Sequence, residues 1–163
     1  MISTRIETKE AFRIIGYKTA ISEGEAVHDP AYSPLKTAFF KSTLENGSMA
    51  SLLPLSESPY GFAAIAQEDG KILYVAGVQS LGPEPDAAGE VLFPGGEYLV
   101  LSGQGGLSRL AFDRLEDEAF GAILNDNYEY VYTGHPIAEV LTNGNPMDAE
   151  VEVWVPVKKR KAD

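Results

Sequence analysis

Along residues 149–159, AEVEVWVPVKK, apolar and polar positions alternate with a period of two. The pattern predicts a strand with Val151, Val153, Val155 and Val157 on one side and Glu152, Trp154 and Pro156 on the other. A shorter apolar run, IAEVL at 137–141, precedes it and carries a single acid, Glu139. The loop TNGNPMD (142–148) joins the two. The same arrangement occurs earlier, where GFAAIA and ILYVAGV flank EDGK (68–71). Asp-Gly between two apolar runs is a strong hairpin signal. Two further apolar runs, AFRIIGYKTAI and GGEYLVLSGQG, read as strands that open the two halves of the chain.

Two segments have helical periodicity instead. In DPAYSPLKTAFFKSTLENG, Asp29 is placed as a cap, Pro30 lies early, and Asn46-Gly47 ends the helix. Leu35, Phe39, Phe40 and Leu44 are expected to form its buried stripe. In LSRLAFDRLEDEAFGAIL, the stripe is Leu107, Leu110, Ala111, Leu115, Ala119, Phe120, Ile123 and Leu124, with acids and arginines opposite. Pro, Gly and acid residues in LGPEPDAAGE (81–90) mark a connection between halves. Each half therefore reads as a β-α-β-β unit. The expected fold is one α+β domain over 1–163, with pseudo-repeats at about 5–80 and 91–158 and a basic tail at 158–163. Duplication predicts an antiparallel sheet with two helices packed on one side and a pseudo-twofold axis. Superposing Asp69-Gly70 on Asn143-Gly144 matches Glu139 with Ile65, so an apolar position in one half is an acid in the other. Tyr74 and Trp154 fall at roughly equivalent places on the returning strands.

Composition narrows the possibilities. With 163 residues and 44% hydrophobic, the chain can bury a full core. No apolar run reaches the ~18–20 residues of a membrane span. The N-terminal MISTRIETKEAF lacks a signal-peptide core, so a soluble, cytoplasmic protein without membrane association is expected. The absence of cysteine excludes disulfides, thiol nucleophiles and thiolate metal sites. A net charge of −11 repels phosphate backbones, so no direct nucleic-acid binding is expected. The one basic cluster, KKRK (158–161), reads as a solvated C-terminal end.

Glu139 is the main chemical candidate. A carboxylate among apolar neighbours either lies on an edge strand facing water or is buried and must be paired. Glu150 and Glu152 fit the wet face of their strand, although Trp154 on that face suggests partial cover, as by a ligand. Eight tyrosines to one tryptophan suit a pocket for a flat or cationic molecule. His28 and His135 have no metal-ligand spacing, and no metal or cofactor is expected. The glycines of SGQGGLS lack the Walker lysine and the dinucleotide spacing, and read as turn residues.

Three stretches, AFRIIGYKTAI, FPGGEYLVLSGQGG and IAEVLTNGNPMDAEVEVWVPVKK, resemble the GyrI-like effector-binding domains. Those domains occur alone, as in gyrase inhibitor proteins, and fused to DNA-binding domains in AraC/Rob-type and MerR-type multidrug regulators. The resemblance spans about residues 5–158. It implies a groove pocket between two halves, with a glutamate on the penultimate strand that contacts lipophilic cations. By motif that glutamate is Glu139, Trp154 is the aromatic of the last strand and Tyr98 that of the GEY strand. Tyr60 and Tyr74 join the candidate ligand-binding set from hairpin position alone. Ala138 and Leu141 depart from the larger apolar and aromatic residues common in relatives, which alters the implied pocket. No helix-turn-helix precedes the domain, so this chain is not expected to be a complete DNA-binding regulator.

Three functions follow from these expectations. The first is a stand-alone protein that senses or sequesters an amphipathic, cationic small molecule, with Glu139 as counter-charge. The second is a hydrolase of small electrophiles, with Glu139 as general base, its pKa raised by burial, and Tyr98 stabilising an oxyanion. The third is a gyrase-inhibitor-like interaction with a protein partner, which the modest acidity and lack of acidic runs rank last.

Overall fold

The computed structural model describes residues 2–24, 26–86 and 88–161. The last two residues of the basic tail lie outside that range. Among the described residues, nine strands and three α-helices form an α+β domain. Strands β1 (Ser3–Lys9), β2 (Phe12–Glu23), β3 (Gly61–Glu68), β4 (Lys71–Gln79), β5 (Gly89–Phe93), β6 (Gly96–Gln104), β7 (Tyr130–Tyr132), β8 (Ile137–Leu141) and β9 (Glu150–Lys159) are all antiparallel in their pairings. Helices α1 (Tyr32–Glu45), α2 (Ser48–Leu52) and α3 (Ser108–Glu118) lie between them. No helix among the described residues is long and apolar enough to cross a membrane.

The sheet order is β1-β6-β9-β8-β3-β4-β2-β5, with β7 beside the far end of β9. This order is a palindrome under exchange of the two halves. At its centre β3 pairs with β8, and Ala64 faces Ala138. Each half sends its first strand to the other: β1 pairs with β6, and β5 pairs with β2. These two strands escaped the sequence reading.

This exchange forces the sheet to curl. In the strand order β1 and β2 are six places apart, which in a flat sheet is about 29 Å. Only Glu10 and Ala11 join them, a reach of at most about 11 Å. The link between β5 and β6 is equally short, Pro94 and Gly95, and it passes against the first: a Cβ on Gly95 would lie 3.2 Å from the Ala11 nitrogen. The edges are thus drawn together, and one face becomes the inside of a partly closed barrel. Phe12 of β2 lies 5.6 Å from Trp154 and 6.3 Å from Tyr98, ring to ring, although four and five strand places separate them.

The inner face holds Ile14, Phe62, Val75, Phe93, Tyr98, Val100, Val140 and Trp154. The outer face, covered by α1 and α3, holds Ile65, Tyr74, Leu99, Leu101, Ile137 and the four valines of β9. The face of β9 that carries Trp154 is therefore enclosed, not wet; Trp154 is 8% exposed. The β3–β4 turn is Asp69-Gly70, with φ of 53° and 74°, the left-handed values that a two-residue hairpin demands.

The helices correct the expected stripes. In α1 the buried residues are Tyr32, Lys36 and Thr43, while Leu35 and Leu44 are exposed. Asp29 does not cap the helix side-chain to backbone; its Oδ1 accepts from the Ala31 amide in the turn before it. In α3 Phe112 and Glu116 are buried with Ala111 and Leu115, while Leu107 and Leu110 face out. A π-turn over Ala119–Ile123 then widens the helix, so uniform 3.6-residue spacing cannot describe its end. The basic cluster is also only in part a free end. Lys158 and Lys159 belong to β9, and Arg160 donates to the carbonyls of Asn125 and Tyr128.

Candidate functional site

Glu139 lies at the middle of β8, in the central strand pair of the sheet, and is 1% exposed. It is not on an edge: β3 and β9 flank it, pairing it with Ala63 and Val153. Strand alternation aims it at the outer face, beneath α1 and α3. The register of the central strands is compatible with the match of Glu139 to Ile65 given by the superposed hairpin turns.

Three side chains meet its carboxylate. The Tyr74 hydroxyl donates to Oε1 at 2.7 Å. Arg109, from the first turn of α3, donates through Nη1 to Oε1 at 3.0 Å and through Nη2 to Oε2 at 2.6 Å, a bidentate fork. Lys36, from α1, brings Nζ to 3.3 Å from Oε2. The Lys36 ammonium also donates to Glu116 Oε1 at 3.1 Å and lies 5.5 Å from the Tyr74 ring centroid. Arg109 reaches Glu116 Oε2 at 3.1 Å and Asp113 Oδ1 at 2.9 Å, and Ser33 of α1 donates to the other Asp113 oxygen at 2.6 Å. No buried side-chain nitrogen or oxygen among the described residues lacks a partner.

Burial and neighbouring charges shift the two enclosed glutamates in opposite directions. Burial alone would raise the Glu139 carboxyl, but Arg109 and Lys36 outweigh it and hold the group well below the usual carboxylate range. Glu116, also fully buried, is pushed well above that range by burial and by the neighbouring Glu139 charge. Glu139, gripped by the Arg109 fork, is thus ionised. This reverses the expected rise at Glu139. A carboxylate held this low is a weak proton acceptor, which does not suit a general base. Burial opposes the charge on Lys36, yet Glu139 and Glu116 raise its pKa.

The five residues expected to form one pocket are divided by the sheet. Glu139 and Tyr74 meet on the outer face. Trp154 and Tyr98 belong to the inner face, where the Tyr98 hydroxyl donates to the Pro94 carbonyl at 2.7 Å and the Trp154 Nε1 donates to Glu152 at 2.9 Å. Tyr60 precedes β3, is 37% exposed, and lies 6.4 Å from Phe62 ring to ring. Tyr98 therefore cannot act with Glu139 on one reacting group. The register gives the reason for the misplacement. Tyr74 pairs with Ile65, whose counterpart Glu139 pairs with Val153, so Val153 and not Trp154 is the match of Tyr74. The long TNGNPMD loop hid a one-residue shift, and one residue turns a strand position to the opposite face. Glu152 is half-buried at the rim of the inner face, paired with Arg5 at 3.1 Å; Lys9 covers the Trp154 ring at 3.8 Å. His28 Nε2 lies 2.7 Å from Asp117 Oδ1, and the His135 carbonyl accepts from the Tyr132 hydroxyl.

Lys36, Arg109, Asp113 and Glu116 were missed by sequence reasoning, although a signal existed. Tyr32, Lys36, Phe39 and Thr43 share helical spacing, which puts a lysine on an aromatic face. Arg109, Asp113 and Glu116 are likewise at i, i+4 and i+7.

The buried tyrosines carry a testable pH dependence. Burial raises Tyr98 from 10.0 to about 12 and also raises Tyr132; burial and then the Glu139 charge raise Tyr74 well above 10.0. Folded values above the unfolded one mean that this stabilisation is complete below the ordinary value and is lost as pH rises through the folded ones. In an alkaline titration followed by phenolate absorbance, these three of the eight tyrosines are expected to ionise only as the chain unfolds. Phenolate formation at all eight while the circular dichroism stays native would contradict it.

Among curated proteins none matches this chain significantly. Among solved structures, SAV2435 bound to tetraphenylphosphonium superposes with a TM-score of 0.76 at 17% identity, covering 96% of this chain and 94% of that one. An integron cassette protein from the mobile metagenome of Vibrio cholerae gives 0.64 at 14% identity, covering 95% of both. The C-terminal domain of EcmrR gives 0.55 at 10%, covering 98% and 99%. These likenesses establish a shared fold. The model of the integron-associated effector-binding proteins, Cass2, matches residues 5–157, so the chain belongs to that effector-binding family.

Proposed function

We propose that this protein binds an amphipathic, lipophilic cation, with Glu139 as the counter-charge and Tyr74 as its aromatic neighbour. The observation that carries the reading is the placement of Glu139: an ionised carboxylate, 1% exposed, at the centre of the sheet under two helices. Superposing the two hairpin turns puts Ile65 at its place in the other half, so the fold itself does not require an acid there. Enclosing such a charge costs several kcal/mol before its partners offset it, and a cationic ligand gives a functional reason to retain it. A relative of the same fold, SAV2435, has been solved with tetraphenylphosphonium bound. The net charge of −11 favours the approach of cations.

The test is thermal unfolding and calorimetry with tetraphenylphosphonium, beside a neutral triaryl phosphine oxide. Ligand at a hundred times its dissociation constant is expected to stabilise the wild type by about 2.7 kcal/mol, a rise of roughly 5–10 °C for a domain of this size. Glu139→Gln, folded by circular dichroism, is expected to lose at least about tenfold in affinity for the cation while its weak affinity for the neutral compound is unchanged. Equal affinities for the cation in both proteins would sink the reading.

A further inference from the structure

The geometry points to Lys36 as a tethered internal cation that occupies the ligand's charge position on Glu139, so that ligand entry is displacement of a lysine; this rests on the cation-binding reading above. Three observations support it. The Lys36 side chain is 2% exposed, and its ammonium lies 3.3 Å from Glu139 and 3.1 Å from Glu116, so the site is already filled by a cation of the protein's own. That ammonium lies 5.5 Å from the Tyr74 ring, which gives it the carboxylate-plus-aromatic surroundings proposed for the ligand. The second cation, Arg109, is held differently. Its fork makes two bonds to Glu139 and further bonds to Glu116 and Asp113, so withdrawing it would break four charged contacts. Lysine is a compact charge on a flexible four-carbon stem, and withdrawing it leaves the fork intact.

The consequence is a filter on ligand chemistry. An incoming cation must offset the loss of two charge-assisted hydrogen bonds from Lys36. A small hydrophilic amine gains no more than the lysine already supplies, and it must also pay its own dehydration. A bulky lipophilic cation adds buried apolar area, at about 25 cal/mol per Å2, which the tethered lysine cannot match. Lys36 therefore sets a threshold that favours large lipophilic cations over small amines.

Two measurements test this. The first uses the wild type: amine acetylation with and without saturating tetraphenylphosphonium, read by mass spectrometry residue by residue. Lys36 is expected to be protected in the free protein and at least about tenfold more reactive when the cation is bound, while exposed Lys41 and Lys71 serve as unchanged references. The second is Lys36→Met, which keeps length and removes charge. Affinity for tetraphenylphosphonium is expected to rise at least about tenfold, and tetramethylammonium is expected to gain measurable binding that Glu139→Gln abolishes. Lys36 that stays protected at saturation, or a folded Lys36→Met variant with unchanged or weaker affinity, overturns the displacement while leaving the cation site standing. Absence of binding to both wild type and Lys36→Met overturns the cation site itself and the displacement with it.

Discussion

Replacing Arg109 with methionine is expected to destabilise the fold by about 3–5 kcal/mol, read by urea denaturation with an unchanged slope. Arg109 is the hub of the network: it alone contacts Glu139, Glu116, Asp113 and Tyr74 together. Without it, Glu139 keeps only Lys36 and Tyr74, and Asp113 keeps only Ser33. The cost comes from leaving enclosed carboxylates short of positive charge, which an apolar side chain cannot relieve. Arg109→Lys is expected to lose less, because it restores the charge but not the two-pronged geometry. Changing the four enclosed groups at once, Lys36 and Arg109 to methionine with Glu116 and Glu139 to leucine, is expected to recover most of the loss, since only the partly exposed Asp113 then lacks a cation. A Glu139 carboxylate whose pKa is depressed stabilises above the ordinary value of 4.5, and that contribution is lost as pH falls through the folded value. The gap between Arg109→Met and wild type should therefore narrow in acid. A single substitution costing less than about 1 kcal/mol at neutral pH would mean that water replaces the guanidinium freely and the network is not dry.

Trp154→Ala is expected to cost about 3–5 kcal/mol and to leave affinity for a lipophilic cation unchanged in the folded fraction. The indole packs edge-on against Phe12 at 5.6 Å and Phe62 at 5.8 Å, across the closure of the curled sheet. Phe12 in turn stacks on Phe93 at 4.4 Å, so one ring cluster joins β2, β3, β5 and β9. Truncation would leave a cavity where the two ends of the sheet meet, and little backbone there is free to collapse into it. Trp154→Phe should be much milder, losing ring area and the bond to Glu152. Thermal midpoints give the stability, at about 2–4 °C per kcal/mol, and calorimetry with tetraphenylphosphonium gives the affinity. Weakened binding with near-native stability would return Trp154 to the ligand site and contradict its place on the opposite face.

The pair Glu139 and Trp154 separates what was legible from what was not. Glu139 was conspicuous as an acid among apolar residues, and a constant offset between two hairpin turns related it to Ile65. Both are local properties of the chain, and the register is compatible with them. Trp154 was assigned to the same pocket because the alternation of β9 is clear but the direction of each face is not. Its face looked wet, since Glu150 and Glu152 share it. It is enclosed because β1 and β5 change halves, and nothing in the alternation of β9 encodes that exchange. The helices failed in a related way. Leucines at helical spacing outweighed Lys36, Arg109 and Glu116 in the choice of buried stripe. A charged residue is buried only when its opposite is enclosed with it, and those opposites lie 80 and 103 residues from Lys36 in the chain.

The amino-acid sequence by itself determined six of the nine strands, the two long helices, the hairpin at Asp69-Gly70, the doubling of the fold and the oddity of one acid in the central strand. These follow from periodicity, turn stereochemistry and composition, which act over a few residues. Tertiary structure alone decided which faces closed, and so which aromatic residues are core and which lie near Glu139. It also decided that Glu139 is ionised and already paired, because charge balance in a dry interior depends on groups that only folding brings within hydrogen-bond reach.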